Sequence, residues 1–217
     1  MAPLIWRQCT LNNGYFKALF LLLTGVIFIS GCSSAIQTTI QYYQFEQPIN
    51  DSSRNVQDTQ AQLRVQTVTL RGALNNRGIA MKVDSNQIHA ANYHLWGESP
   101  DVMLSASAQQ TLFNTMTNWM VIKGLHVITD QQQQTFYELE YELHHFNGDL
   151  QGNADISGLW RLYYTHPESG RRLLSIHNFS SVMPIDDDGY DSLVATLEKM
   201  WQQINILAAK EIEKARI

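Results

Sequence analysis

Residues 136–146 read Phe-Tyr-Glu-Leu-Glu-Tyr-Glu-Leu-His-His-Phe, and this stretch restricts the fold more tightly than any other. Tyr137, Leu139, Tyr141 and Leu143 alternate with Glu138, Glu140, Glu142 and His144. Successive strand side chains point to opposite faces, so a strict period of two means a strand with one buried and one wetted face. Such a strand belongs to a sheet, and that sheet needs an apolar layer over its buried side.

Two helical patterns supply the layer. The first is expected over about 100–120, with Ser99 as N-cap and Pro100 at the first helical position. Met103, Ala106, Leu112, Phe113, Met116, Trp119 and Met120 recur there at spacings of three and four. The second runs over 190–214, where Leu193, Leu197, Met200, Ile204, Leu207 and Ala208 mark a stripe that Val194 and Trp201 widen. Asp186–Asp188 lie at its positive end and Lys210, Lys214 and Arg216 at its negative end, which suits the helix dipole. Further strands are expected at Gln41–Glu46, Leu63–Leu70, Leu125–Ile128, Ile156–Thr165 and Arg172–Val182. A hairpin is expected from Ile79–Val83 and Gln87–Ala91. Strands, helix, strands, helix make an α+β fold: a mainly antiparallel or mixed sheet with two long helices packed on it.

Residues 1–40 stand outside this pattern. An apolar run from Leu19 to Ile29 follows Arg7 and Lys17 and ends in Ile-Ser-Gly-Cys. A positive start, a short apolar centre and small residues before a cut are the layout of a secretory signal. A spanning helix needs roughly 20 apolar residues, more than this run offers. Its last four residues resemble a bacterial lipobox. Cleavage between Gly31 and Cys32 would leave Cys32 carrying S-diacylglycerol and N-palmitoyl groups. The competing reading is a signal-anchor helix with an incidental cysteine. The expected organisation is a removed signal (1–31), an acylated tether (32–40) and a single domain (41–217). Ser33, which follows the cysteine where inner-membrane lipoproteins of enterobacterial type carry Asp, points to the periplasmic leaflet of the outer membrane.

Charge and cysteine content narrow the function. The signal removes Arg7 and Lys17 and no acid, so 13 of 15 basic side chains remain against all 20 acidic ones, about −7 in formal charge. That balance opposes nucleic-acid binding, which rests on basic patches. It opposes attraction to anionic lipid as well, leaving attachment to the acyl chains. Cys9 departs with the signal and Cys32 is lipid-linked, so no thiol remains for a disulfide, a nucleophile or a metal.

The remaining chemistry is sparse. Glu138, Glu140 and Glu142 would repel one another on one strand face, which could raise a pKa or hold a cation; strand faces in water are commonly charged, and a solvated face is the favoured reading. His144 and His145 point to opposite sides of a strand and cannot share a metal. Asp186–Asp188 lack the alternating ligands of a calcium loop and read as a helix entry. There is no Gly-x-Ser-x-Gly elbow and no phosphate-cradling loop. No enzyme, cofactor or metal site is expected. Two tryptophans are candidates for interaction surface. Trp96 either closes the core edge or presents its indole to a partner, and Trp201 either packs inside or faces another subunit.

Four segments carry a family likeness: the lipobox with Tyr42-Tyr43-Gln44-Phe45; Val68-Thr69-Leu70 leading into the expected hairpin; Tyr93-His94-Leu95-Trp96-Gly97-Glu98-Ser99-Pro100; and Gly158-Leu159-Trp160-Arg161-Leu162 with the aspartate-led last helix. Together they resemble the ABC-type transport auxiliary lipoproteins of the PqiC-like kind. Trp96, Glu98 and Pro100 keep the family's Trp-x-Glu-Pro-like step with Ser99 inserted, whereas the family's Leu-Pro step is Leu70-Arg71 here. The resemblance implies a non-enzymatic outer-membrane lipoprotein that serves an MCE-domain, periplasm-spanning protein in lipid transport and supports envelope integrity. It also implies a homo-oligomer, a ring being one form. The alternative is an assembly or structural envelope lipoprotein unrelated to MCE transport.

Overall fold

The strand anticipated at 136–146 is the axis of the domain. In a computed structural model, which describes residues 39–46, 53, 55, 59–124 and 135–217, it is β7 (Phe136–Asp149). The lipobox with Cys32, most of the tether and the strand expected at Leu125–Ile128 lie outside the described residues. Tyr137, Leu139, Tyr141 and Leu143 are buried on one face, as the alternation requires.

The other elements are β1 (Gln41–Tyr43), β2 (Ala61–Val65), β3 (Thr69–Leu70), β4 (Gly78–Asp84), β5 (Gln87–Trp96), α1 (Pro100–Thr115), β6 (Trp119–Lys123), β8 (Asn153–His166), β9 (Gly170–Pro184) and α2 (Tyr190–Lys214). Along one edge of β7, the strands β2, β3 and β4 follow one another, each parallel to it. Along the other edge, β8 and then β9 pair antiparallel. β6 adds parallel to β2, β5 antiparallel to β4, and β1 parallel to β5. The sheet is mixed, and the fold is α+β. Helix α1 packs on β6, β2 and α2, while α2 packs on β7, β8 and β9.

Two elements differ from expectation. The first helix stops at Thr115, not Met120, and Trp119–Lys123 is a strand. Met116 N–H closes the helix on Leu112 O (2.8 Å), and Asn118 O then accepts from Gln60 N–H (2.9 Å) at the head of β2. Trp119 and Val121 bury at a period of two, whereas Met116 and Trp119 had also fitted a helical spacing. Leu63–Leu70 divides into β2 and β3. Gln66 N–H still reaches Leu139 O (2.9 Å), but Val68 N–H turns to Ser105 Oγ on α1 (2.9 Å). A side chain from a distant helix thus takes a donor that a continuous ladder would have used.

Polar groups within the core tie the layers together. Trp201 Nε1–H donates to Leu104 O (3.1 Å), joining the helices. Tyr141 O–H donates to Asn205 Oδ1 (2.8 Å), and Asn205 Nδ2 donates to Trp201 O (2.7 Å). Burial pushes the Tyr141 phenol far up, so it serves only as a neutral donor.

Candidate functional site

The two tryptophans nominated as interface residues lie in the core. Trp96 is 2% exposed, stacks on Phe146 at 5.5 Å and meets Phe45 edge-on at 6.1 Å. Trp201 is fully covered and stands edge-to-face on Tyr141 at 4.9 Å. Both indoles fill space between sheet and helices and present nothing to the outside of the chain.

The glutamate row has a fuller environment than its own strand suggested. Neighbouring elements bring arginines across it: Arg71 just after β3, Arg161 from β8 and Arg171 from β9. Arg171 Nε donates to Glu138 Oε2 (2.7 Å) and its Nη2 to Glu140 Oε1 (2.5 Å), while its guanidinium lies 3.3 Å over the Tyr163 ring. Gln66 and Thr165 also donate to Glu138. Glu142 receives Arg161 Nη2 (3.1 Å), Arg71 Nε (2.6 Å) and His144 Nε2 (3.3 Å). Partial burial pushes the Glu142 carboxyl up, but the Arg161, Arg71 and His144 contacts outweigh it and hold the group below its ordinary range. The expectation that mutual repulsion raises a pKa in this row therefore fails at Glu142, because three arginines interleave with three carboxylates.

Glu138, Glu140, Glu142, Arg161 and Arg171 line an open cleft of about 730 Å³ together with Val68 and Asp101. Glu138, Glu140 and Glu142 each accept a hydrogen bond from an arginine, whereas Asp101 accepts one from the Ser99 hydroxyl. What it offers is a held pattern of alternating charge. Arg71 stands where the resemblance implied a proline after Leu70. Its N–H donates to Leu143 O (3.2 Å), a bond proline could not make, and its side chain joins Glu142.

Other nominated groups are dispersed. His144 faces Glu142, whereas His145 Nδ1 meets Asp155 Oδ2 at 2.9 Å. His94 stacks on Tyr190 (3.9 Å) and His177 on Trp160 (4.1 Å). Among the described residues no group of His, Cys, Asp and Glu converges to hold a metal ion. Asp187 N–H bonds Ser192 Oγ (3.0 Å), placing the aspartates in the entry loop of α2. An apolar hollow of about 280 Å³ lies beside that entry, lined by Met81, Leu150, Ile185, Tyr190 and Leu193. It is smaller than the roughly 300–1,000 Å³ of typical small-molecule sites.

Reading the sequence missed one surface. Among the described residues the outer edge of β9 ends the sheet, and Leu173, Ile176 and Val182 on that strand are exposed. Its signal was available: no charged residue occurs from Leu173 to Ile185.

Comparison with known proteins places this architecture. Two curated relatives, the intermembrane transport lipoprotein PqiC of Escherichia coli (strain K12) and its counterpart of the same name in Shigella flexneri, are each 24% identical over 196 residues. The alignment covers 90% of this chain and 97% of each relative. A crystal structure of an uncharacterized protein superposes with a TM-score of 0.64 at 25% identity, covering 80% of this chain and 99% of that one. A crystal structure of a Xanthomonas campestris protein superposes at 0.60 and 13% identity, covering 81% and 95%; it shares the fold. The family model described as the ABC-type transport auxiliary lipoprotein component matches residues 43–206, the span from β1 into the last third of α2. The chain belongs to the family of ABC-type transport auxiliary lipoprotein components.

Proposed function

We propose that this chain is a lipid-anchored, non-enzymatic accessory of an intermembrane lipid-transport system. The observation that carries this reading is the family match over residues 43–206, with relatives named as intermembrane transport lipoproteins that align over nearly their whole length. In the same reading the signal is cut between Gly31 and Cys32, and Cys32 carries the diacylglycerol and palmitoyl chains. Ser33 directs the protein to the periplasmic leaflet of the outer membrane. There the domain self-associates and docks an MCE-domain protein that bridges the periplasm. The open cleft with its ion-paired glutamates suits docking of a partner protein.

Two experiments test the proposal. Affinity capture of the acylated protein from membranes should recover an MCE-domain partner, and deletion should raise envelope permeability. Failure of both results would defeat the transport role. The anchor has its own test: Cys32→Ser should accumulate as an uncleaved precursor that takes up no palmitate. Palmitate labelling that persists in that variant would defeat the lipid assignment.

A further inference from the structure

The strand that opens the domain carries apolar side chains on its outer face as well as its inner one. β1 runs parallel to β5, with Tyr42 beside Leu95 and Tyr43 beside Trp96. Partners in a parallel pair share a face, and every second residue returns to it. Tyr43 and Trp96 point into the core and are buried. Tyr42, Leu95 and Tyr93 take the opposite face, and Ile40 precedes Tyr42 by two residues. Ile40, Tyr42 and Tyr93 are 47%, 61% and 45% exposed, and Leu95 is half-buried. The inner side fixes the strand. Tyr43 O–H donates to Gln41 Oε1 (2.6 Å), and the same oxygen lies 2.8 Å from Nδ1 of His94, whose ring stacks on Tyr190 at 3.9 Å. Arg77 stands at the rim, with its guanidinium 5.7 Å over the Tyr42 ring and Nη2 donating to Gly97 O (3.3 Å). In an acidic domain this corner is built from uncharged segments: residues 33–45 and 85–97 hold no Asp, Glu, Lys or Arg.

We propose that Ile40, Tyr42, Tyr93 and Leu95 form a membrane-contact face, seated in the headgroup layer of the bilayer that the acyl chains of Cys32 enter. The inference depends on the lipid anchor proposed above. Chain length selects the occupant. Cys32 precedes Ile40 by eight residues, so the acylated residue lies within roughly 26–29 Å of the patch even at full extension. The chain enters the domain through the patch itself, which ties this corner to the bilayer more closely than any later part of the sequence. The side chains suit that depth. Tyrosine joins an apolar ring to a polar tip and is enriched at the headgroup level of membranes. Apolar groups gain from leaving water whatever the lipid charge, so the contact needs no electrostatic attraction, which the acidity of the domain opposes. Arg77 at the rim can meet a lipid phosphate while its stem lies along the apolar surface. Because the anchor already holds the domain at the bilayer, the second contact is effectively intramolecular, and a few side chains suffice where they would not hold a free domain. Two attachments also set which way the domain faces, which a tether alone does not.

The test uses the full chain, processed in membranes and reconstituted into vesicles of phosphatidylethanolamine and phosphatidylglycerol that contain a lipid with a nitroxide near its headgroup. In the anchored form an added cysteine is the single reactive thiol, since Cys9 departs with the signal and Cys32 is acylated. A fluorophore at Tyr93→Cys should be quenched several-fold more than the same fluorophore at Leu207→Cys. Leu207 is 60% exposed and stands about 25 Å along α2 from the Tyr190–His94 contact. With the label at position 93, Tyr42→Trp should keep the quenching, Tyr42→Ser should weaken it and Tyr42→Asp should bring it to the Leu207 level. All these positions are exposed, and melting temperature checks that each variant is folded. Anchored protein whose two labels are quenched alike overturns the contact, as does quenching that survives both Tyr42→Ser and Tyr42→Asp. A label at position 93 that is shielded from iodide in water yet untouched by the lipid nitroxide overturns it too, and gives the patch to a second copy or a partner protein. Protein that does not float with the vesicles, and whose mass shows Cys32 unmodified, overturns the anchor and the contact with it.

Discussion

Glu142 shows how a side chain that looks repulsive in its own strand becomes an attractive centre in the fold. Its carboxylate is held by Arg71, Arg161 and His144, and its pKa lies below the ordinary value of about 4.3. A carboxyl lowered on folding contributes stability in full above its unfolded pKa, and that contribution disappears as pH falls through the folded value. Glu142→Gln should therefore lower stability at neutral pH by up to about 1 kcal/mol, a limit set by the exposure of Arg71. The difference from wild type should shrink below about pH 4.3. Urea unfolding at pH 7 and pH 3 measures both, and an equal difference at the two values would refute the assignment. Tyr141 makes the opposite case, a neutral donor in the core. Tyr141→Phe leaves Asn205 Oδ1 without its donor and should cost about 1–3 kcal/mol. A denaturant midpoint unchanged from wild type would show that the bond contributes nothing net.

At the scale of elements, the seam between β7 and β8 leaves no room for a side chain at Gly158. Gly158 faces Leu143 where the β7 register shifts, and a Cβ there would lie 2.2 Å from Glu142 O and 3.0 Å from Leu143 Cα. Backbone on both strands would have to move, so Gly158→Ala should destabilise by about 1–3 kcal/mol, seen as a lowered melting temperature. A wild-type melt would show that the seam can open without cost. Elements differ in how far their own residues declare them. β7 and α2 were legible because their periods, two and 3.6, persist over many residues and only one structure fits each. The end of α1 was not. Met116, Trp119 and Met120 fit a helical stripe, yet Trp119 and Val121 also fit a strand, and pairing with β2 decided between them. The split of β2 from β3 depends on Ser105, which is remote in sequence and near only after folding.

In the domain as a whole, β7 organises the described residues: three parallel strands end to end on one side, a long antiparallel hairpin on the other, and helices over the buried face. Among the described residues, that layout leaves β9 as a long outer edge, a surface that no single residue makes. By itself the sequence determined the α+β class, the two helices, the wetted glutamate face and the expected point of acylation. Each of these follows from local periodicity or a contiguous motif. Only the tertiary structure decided that Trp96 and Trp201 are core, that arginines from three separate segments neutralise the glutamates, and that β9 lies at an edge. Those outcomes depend on which strands become neighbours, and strand order is set by contacts between residues far apart in the chain, which no local pattern encodes.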